Sequence, residues 1–497
     1  MIVFVPETGN IVSETDRKIV SMTDWIPTIP ESRQPIYLRL ADAIEEAIIS
    51  GELSPGSKLP PQRNLAFDLG VTLGTITRAY QTARERGLLT GEVGRGTFVR
   101  DNGDNDNYTG DVTFDRVFGV LGRSFEDENA KQQVLTLSST SAPDVDQMSI
   151  IEPVLRQIGQ ENPYRSIDYV RRLPKSWSEA GAAWMARGDW RPDPSSTFTT
   201  HGADPGILSA MATVAAPGER IVMEIPTYKC AAQSINLIGR IPVAGECDDE
   251  GLIPDEFERL CARQHPRAVF LMPEAQNPTH AVMSEERRRH IVEIARKYNV
   301  WIIEDNVYGS LLTDFRTPLA ALAPERTFHI SSLSKTVAAG IRCGWMSCPP
   351  GQAPRAASAH KLLAGPKPYL LATLGAELIL SGAADEIRNK VRRELTVRHG
   401  IMEEALAGFS YSSNKLLPFV WLKLPEQWSS ASFVKAAEAH SVRIDGEDEY
   451  KPVRTETLLH RVRIGMSAVQ SRDDLKRGLD MLAGLLKHGS AAYETFA

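Results

Sequence analysis

The amino-acid sequence predicts an α/β protein of at least two domains, in which a small helical domain precedes a large domain built on a mostly parallel sheet. A chain of 497 residues exceeds what one hydrophobic core usually organises. From about residue 134 to 490, short apolar runs alternate with amphipathic segments, a pattern typical of helices that cover a parallel sheet. Residues 35–100 differ, because their helical periods end in a glycine-rich hairpin.

Composition excludes several classes of protein. Hydrophobic residues make up 42% of the chain and charged residues 24%, as in soluble globular proteins. No apolar run approaches the length that a membrane span needs, and the N-terminus lacks the basic flank of a signal peptide. The five cysteines form no C-x-x-C pair, which argues against a disulfide framework or a metal site and predicts the reducing cytoplasm. The cysteines are Cys230, Cys247, Cys261, Cys343 and Cys348.

Residues 35–100 predict a helix-turn-helix followed by a two-stranded hairpin. The first helix ends at Ser50-Gly51, the second closes at Gly70, and a third follows after a tight turn. Although the net charge is −7, residues 71–90 carry three arginines against one acid, the local basic patch that an appended DNA-binding domain leaves. The residues expected to face inward are Ile36, Leu40, Ile44 and Ile48 in the first helix, and Ile76, Ala79, Tyr80 and Ala83 in the third.

Pattern alone leaves open a helical hairpin that binds nothing. The segment resembles, however, the winged-helix domain of the GntR family over residues 35–99, through PIYLRLADAIEEAI, GELSPGSKLPPQRNLA, the third helix and GRGTFV in that order. The resemblance implies double-stranded DNA as a partner, with the start of the third helix in the major groove. The implied DNA contacts are Arg63, Arg78, Thr72, Thr75 and Thr77, with Arg95 in the wing.

Two segments flank this domain. Residues 1–21 show neither amphipathic period nor motif, and we expect residues 1–34 to form a disordered N-terminal extension. Residues 101–133 are polar and carry eight acids against three bases, which predicts a linker. The large domain then occupies residues 134–490.

Four motifs of the large domain combine polar side chains with strand ends, where α/β sheets bind ligands. Singly, each has an ordinary explanation, since a serine-rich strand with one lysine is usually a surface loop and a strand-end acid often caps a helix. The motifs are ISSLSKTVAAGIRCGW with Ser332, Lys335 and Arg342; WIIEDNVY with Asp305 and Tyr308; Asn277-Pro278-Thr279; and His201-Gly202-Ala203-Asp204, to which IPTYK adds Tyr228.

Together these residues meet the needs of pyridoxal 5′-phosphate (PLP). That cofactor requires a lysine for an imine, an acid to keep the pyridine nitrogen protonated, donors for the phosphate and a flat neighbour for the ring. A helix that begins after Gly202 would offer free N–H groups to the phosphate. Arg342 and the pyridinium should help Lys335 to lose its proton, which imine formation requires.

In order and spacing the motifs resemble the aspartate-aminotransferase-like (fold type I) PLP enzymes over residues 134–490. The resemblance implies a large PLP-dependent transferase-like domain and a small C-terminal α+β subdomain. By this resemblance, Lys335 forms the Schiff base, Asp305 pairs with the pyridine nitrogen, and Asn277 and Tyr308 contact the ring oxygen. Tyr228 stacks on the ring, and Arg463 binds the carboxylate of the effector. The residues implied to bind the phosphate are Gly202, Ala203, Asp204, Ser332 and Arg342.

Some positions depart from the family or leave alternatives. Arg461 lies on the same strand face as Arg463 and rivals it, and Tyr169, which would reach the phosphate of a neighbouring subunit, stands in an unusual context. His280 replaces a usual glycine, and Asp204-Pro205 replaces a usual polar pair. These departures question efficient transamination rather than cofactor binding.

A GntR-like winged helix, a linker and a fold type I domain in this order resemble the MocR family of regulators. The resemblance implies a head-to-tail homodimer that binds operator DNA, senses an amino compound through PLP on Lys335, and controls a catabolic or biosynthetic operon. Two alternatives are an active aminotransferase with an autoregulatory DNA-binding domain, and a sensor of PLP itself. We favour the regulator, because an aminotransferase gains nothing evident from a DNA-binding domain. The effector, the operator sequence and the sign of regulation are not readable.

Overall fold

The computed structural model describes residues 25–27, 34–54, 56–92, 96–99, 134–314, 316–453, 455 and 458–488. The chain divides into two compact units, residues 1–113 and 114–497. Among the described helices, none combines the length and apolar character that crossing a bilayer requires. The described residues also contain no group of three or more histidine, cysteine or acidic side chains placed to hold a metal ion.

The N-terminal unit is a winged helix-turn-helix, as the sequence predicts. Its turn begins after Leu69, where Gly70 adopts a φ of 61° that glycine tolerates without strain. Thr72 then caps the third helix by accepting a hydrogen bond from the Thr75 amide at 3.3 Å, which satisfies one of the free N–H groups at the helix start. The elements are α1 (Ile36–Ile49), α2 (Gln62–Asp68), α3 (Leu73–Glu85) and the antiparallel hairpin β1 (Leu89–Glu92) and β2 (Gly96–Val99).

The core of this unit confirms the inward face of α3 but corrects that of α1. Ile76, Ala79, Tyr80 and Ala83 are buried, as expected. In α1 the buried residues are Leu40, Ala41, Ile44 and Ala47, whereas Ile36 is exposed and Ile48 only partly buried. The buried face is therefore centred on the middle turns of α1, and the isoleucines near its two ends lie partly or fully outside the core. Residues 1–24 and 28–33 of the expected extension lie outside the described residues, and Trp25 packs into the core.

An eight-stranded sheet forms the centre of the large unit, in the order β4-β11-β10-β9-β8-β5-β6-β7. The five strands from β10 to β6 run parallel to one another, while β11 and β7 are antiparallel to their neighbours. This arrangement brings the carboxyl ends of the parallel strands to one edge. The strands are β4 (Thr197–Thr200), β5 (Arg220–Ile225), β6 (Ile241–Asp248), β7 (Gly251–Leu252), β8 (Ala268–Leu271), β9 (Trp301–Asp305), β10 (Thr327–Ser332) and β11 (Gly344–Ser347).

Helices cover this sheet, because its strands are apolar on both faces. The principal cover consists of α6 (Lys175–Met185), α7 (Ala203–Val214), α8 (Lys229–Leu237), α9 (Pro254–Gln264), α10 (Glu285–Lys297), α12 (Ala353–Ala364) and α13 (Tyr369–Leu380). The shorter or peripheral helices are α4 (Met148–Glu161), α5 (Pro163–Ile167) and α11 (Leu319–Leu322), with 3₁₀ turns at Pro194–Ser196, Gly309–Leu311 and Ala339–Ile341.

A smaller α+β part follows, as the resemblance implied. The long helix α14 (Ala383–Ala405) leads into a four-stranded antiparallel sheet of order β12-β13-β16-β15 with its own apolar core. Its elements are β12 (Tyr411–Ser413), β13 (Phe419–Lys423), α15 (Ser430–Ala439), β14 (Val442–Arg443), β15 (Asp445–Gly446), a 3₁₀ turn (Glu447–Tyr450), β16 (Arg461–Gly465) and α16 (Arg472–His488), and β14 pairs with β3 (Leu135–Thr136).

Candidate cofactor site

A cavity of about 160 Å³ lies at the carboxyl ends of the parallel strands. Strands β9 and β10 and the start of α7 supply its walls, since Asp305 ends β9, Ser332 ends β10, and Ala203 begins α7. Eight of the twelve residues that the sequence assigned to the effector and cofactor line this cavity. They are Ala203, Asp204, Tyr228, Asp305, Tyr308, Ser332, Lys335 and Arg342, joined by Ser139, Ser141, Met272, Val307, Ser334 and Ala339.

Lys335 lines the cavity, and the pKa of its amine is lowered. Its Nζ donates to Thr140 Oγ1 at 3.2 Å, and that oxygen lies 2.9 Å from the Tyr308 hydroxyl. Burial lowers the pKa of Lys335; Asp204 opposes this shift and Arg463 adds to it. The sequence pointed to Arg342 and the pyridinium of the cofactor as the groups that lower this pKa, and in the structure the largest cause is removal from water. A neutral amine is the nucleophile that imine formation requires.

Asp305 offers an unsatisfied oxygen to a ligand. Its Oδ1 accepts from the Val307 amide at 3.1 Å, whereas the buried Oδ2 has no partner among the described residues. Burial raises the pKa of this carboxyl to about 7. A protonated ring nitrogen would satisfy the free oxygen and restore the ionised form, so the site fits a pyridine cofactor.

The opposite end of the cavity suits a phosphate. Gly202 has a φ of 90°, and a Cβ there would lie 3.6 Å from the Arg342 guanidinium carbon, so glycine keeps the approach to Arg342 open. The first N–H groups of α7 are free to bind an anion at this place. The Asp204 carboxylate accepts from the Tyr228 hydroxyl at 2.9 Å, which leaves the backbone of Asp204 rather than its side chain for a phosphate.

Asn277 and Arg463 are buried side by side behind the cavity-lining residues. Asn277 Oδ1 accepts from Arg463 Nη1 at 3.1 Å, while Asn277 Nδ2 has no partner among the described residues. Arg461 is partly buried and donates to the Trp421 carbonyl at 3.3 Å. The structure therefore brings Arg463, and not its rival Arg461, to the site. Tyr169 lies apart from the cavity and is 74% exposed.

Several residues of the site were missed by sequence reasoning. Ser139, Thr140 and Ser141 reach the cavity or Lys335 from the segment that follows β3. A run of hydroxyl residues, SSTS over 138–141, was the available signal. The carboxylate of Asp445 pairs with Arg463, and no motif in the sequence indicated this residue.

The proposed DNA-contacting face is exposed at the start of α3. Arg63 and Arg78 are exposed, and Arg78 lies 4.3 Å from the centre of the Tyr37 ring. The threonine hydroxyls also have internal partners, because Thr72 bonds Thr75 at 2.9 Å and Thr77 donates to Gln62 at 2.8 Å. Arg95 lies outside the described residues.

His280 has a φ of 68°. Glycine adopts this left-handed conformation without strain, which explains why a glycine is usual at this position. The His280 ring stacks on Phe419 at 4.3 Å between centroids, and burial lowers its pKa to about 3. The unfolded state therefore binds the proton first as the pH falls below about 6.5. We expect stability to fall with decreasing pH in this range, with His280 contributing a loss of about 2 kcal/mol by about pH 5.

The measurement is the pH dependence of the unfolding free energy of wild type and His280→Asn. Asparagine tolerates the left-handed conformation. We expect the unfolding free energy of His280→Asn to fall by about 2 kcal/mol less than that of wild type between pH 6.5 and pH 5. His265→Asn is the matched control, because His265 also has a positive φ of 48° but is exposed. Equal slopes for wild type and His280→Asn would contradict a buried neutral histidine.

The fold and this site define a PLP-dependent protein of the aspartate-aminotransferase fold. The model of aminotransferase class I and II matches residues 171–482, and that of bacterial regulatory proteins, gntR family, matches residues 36–99. The chain belongs to the aminotransferase class I and II family and carries a GntR-family domain ahead of it, the domain order of MocR regulators.

Two relatives match this chain over most of its length. The HTH-type transcriptional regulator YdeF of Bacillus subtilis is 29% identical over 470 residues, covering 93% of this chain and 96% of its own. The HTH-type transcriptional regulator TauR of Rhodobacter capsulatus is 25% identical, covering 88% and 95%. Among solved structures, an archaeal alanine:glyoxylate aminotransferase has a TM-score of 0.64 at 22% identity, covering 73% and 92%, which shows the fold.

Proposed function

We propose that this chain is a DNA-binding transcriptional regulator that senses an amino compound through PLP on Lys335 and thereby controls a catabolic or biosynthetic operon. The observation that supports this most strongly is the presence, in one chain, of a winged helix-turn-helix and a cavity that combines Lys335 with Asp305 and a phosphate-binding helix start. The relatives YdeF and TauR carry the name of HTH-type transcriptional regulators. DNA as the partner places the protein in the cytoplasm.

Bound PLP supplies an aldehyde carbon at which one primary amine can replace another. Lys335 would contribute the amine, whose pKa burial lowers and whose Nζ lies 3.2 Å from Thr140 Oγ1. Asp305 would hold the proton of the ring nitrogen through its free Oδ2. Asn277 and Tyr308 would bind the ring oxygen, Tyr228 would stack on the ring, and the phosphate would be bound by Gly202, Ala203, Asp204, Ser332 and Arg342.

The proposed assembly is a head-to-tail homodimer. Two copies would present two winged helices to two half-sites of an operator. Tyr169 is exposed, as a residue must be that reaches the phosphate of a neighbouring subunit. For the signal to pass, the effector must bind the DNA-competent and DNA-released conformations with different affinities, since equal affinities shift nothing.

The test uses the full-length PLP-loaded protein and the intergenic DNA beside its own gene. A screen of amino compounds should find one that shifts the visible absorbance and changes DNA affinity in the same concentration range. Steady keto-acid production from an amino acid at ordinary enzyme rates would overturn the regulator in favour of an aminotransferase. DNA release on removal of PLP alone, without any amine, would instead favour a sensor of PLP.

Arg78→Ala should weaken DNA binding about 5- to 150-fold, because one bidentate contact contributes about 1–3 kcal/mol. The cofactor absorbance should not change, since the substitution lies in the other unit. A gel-shift titration measures the affinity. Arg84→Ala is the control at the far end of α3, where Arg84 bonds Thr97 at 2.9 Å; an unchanged shift for Arg78→Ala would contradict the placement of the recognition helix.

A further inference from the structure

Four charged side chains, three of them buried and Glu449 partly exposed, form a cluster around Arg463, which we call the Asp445 cluster: Lys229, Asp445, Glu449 and Arg463. Lys229 Nζ lies 2.8 Å from Asp445 and 3.1 Å from Glu449, and Arg463 Nη2 pairs with the other oxygen of Asp445. The side chains of Lys229, Asp445 and Arg463 are 6%, 4% and 3% exposed. Two cations face two anions, so the cluster is already neutral without a ligand.

The guanidinium of Arg463 has no free fork for a carboxylate. An arginine can grip a carboxylate with two parallel bonds from Nη1 and Nη2 or from Nε and Nη2, and both pairs include Nη2. That nitrogen donates to Asp445 and, at 2.5 Å, to the Ser138 carbonyl. Nη1 donates to Asn277. Only the buried Nε lacks a partner among the described residues, and it can make no more than a single bond.

Three side chains hold the carboxylate of Asp445 in this position. Its Oδ1 accepts from Lys229 at 2.8 Å, and its Oδ2 accepts from the Tyr450 hydroxyl at 2.7 Å as well as from Arg463. Burial opposes ionisation, yet the charges of Arg463 and Lys229 keep the pKa of Asp445 below its ordinary value. Asp445 is therefore a carboxylate at neutral pH, and it occupies the place that an incoming carboxylate would need.

We infer that Asp445 acts as a built-in carboxylate on Arg463, and that the effector is a primary amine without a carboxylate on its amine-bearing carbon. This inference rests on the proposed sensing function. An α-amino acid would have to displace Asp445 from Arg463 and would bring a third carboxylate to two cations, so that Asp445 would keep only Lys229, which Glu449 also contacts. A net charge in a buried cluster is unfavourable, whereas an amine lacking that carboxylate leaves the Asp445 cluster intact.

The first experiment uses propionate, a carboxylate without an amine, so that amine exchange at Lys335 is not involved. Calorimetric titration of the PLP-loaded wild type should show no saturable propionate binding. Asp445→Ala removes both the carboxylate and the atoms that fill its place, so that Nη2 of Arg463 becomes available, and propionate affinity should rise at least about tenfold through charge-assisted hydrogen bonds. Adding Arg463→Gln to this variant should abolish the gain.

Glu449→Gln is the matched control, because it removes the same charge from the same cluster without a contact to Arg463. An equal gain in Glu449→Gln would show that net charge, not occupancy of the fork, governs binding, and would overturn the inference. Saturable propionate binding by the wild type that Arg463→Gln removes would also overturn it. This last measurement does not depend on the folding of Asp445→Ala.

The second experiment compares propylamine with L-2-aminobutyrate, which differ only in the carboxylate. The wild-type absorbance should respond to propylamine at lower concentration, and Asp445→Ala should shift the preference toward aminobutyrate by at least about tenfold. A wild type that prefers aminobutyrate would overturn the inference. If no amine alters absorbance or DNA affinity, the proposed sensing function fails, while the propionate titration still decides whether Asp445 occupies Arg463.

Discussion

Lys335→Ala is expected to abolish the visible imine absorbance of the PLP-loaded protein and its transcriptional response to effector, while DNA binding persists. Lys335 is the cavity lysine whose pKa burial lowers and whose Nζ is oriented by Thr140. Alanine cannot form the imine, so the loss should be complete rather than partial. The winged helix has its own apolar core, and the substitution leaves that core unchanged.

The measurements are an absorbance spectrum, a gel shift and a reporter assay on the same variant. Lys361→Ala is the control, because Lys361 is exposed on α12. Retained imine absorbance in Lys335→Ala would mean that another lysine carries the cofactor. A folded variant that no longer binds DNA would mean that the imine maintains the DNA-competent conformation, contrary to the expectation.

Asp305→Asn should weaken PLP binding by about 150- to 5,000-fold, because it removes one partner of a buried charge pair, a loss of about 3–5 kcal/mol. The amide can still accept the Val307 hydrogen bond that Asp305 Oδ1 now makes, so the strand end should keep its shape. PLP titration followed by absorbance measures the affinity. The control is Asp314→Asn, since Asp314 is exposed, and equal affinities would contradict the assignment of Asp305.

The same substitution should stabilise the cofactor-free protein above neutral pH. In the folded state the pKa of Asp305 is raised to about 7, so the folded protein holds this proton more tightly than the unfolded chain. Wild type therefore loses stability as the pH rises from the unfolded pKa toward 7, and Asp305→Asn does not. Unfolding free energies of the two cofactor-free proteins should converge below about pH 4. A difference that persists there would contradict this cause.

Local sequence signals predicted most of the cofactor site. Asp305 and Ser332 end apolar strands, and parallel strands bring their carboxyl ends to one edge. Gly202 precedes a helix, and the lysine follows a strand by three residues. These positions depend on short-range geometry, so strand periodicity and the motif residues sufficed to place them together.

The sequence by itself predicted a winged helix-turn-helix followed by a PLP-dependent α/β domain, through the periodicity of its elements and the resemblance of its motifs, with Lys335 and Asp305 as central residues of the predicted site. Only the tertiary structure decided what Arg463 binds, because its partners Ser138, Asn277 and Asp445 are separated from it by 325, 186 and 18 residues. It also decided that burial, rather than Arg342, lowers the Lys335 pKa. Hydrogen-bond partners and desolvation depend on contacts between distant segments, and a linear pattern records neither.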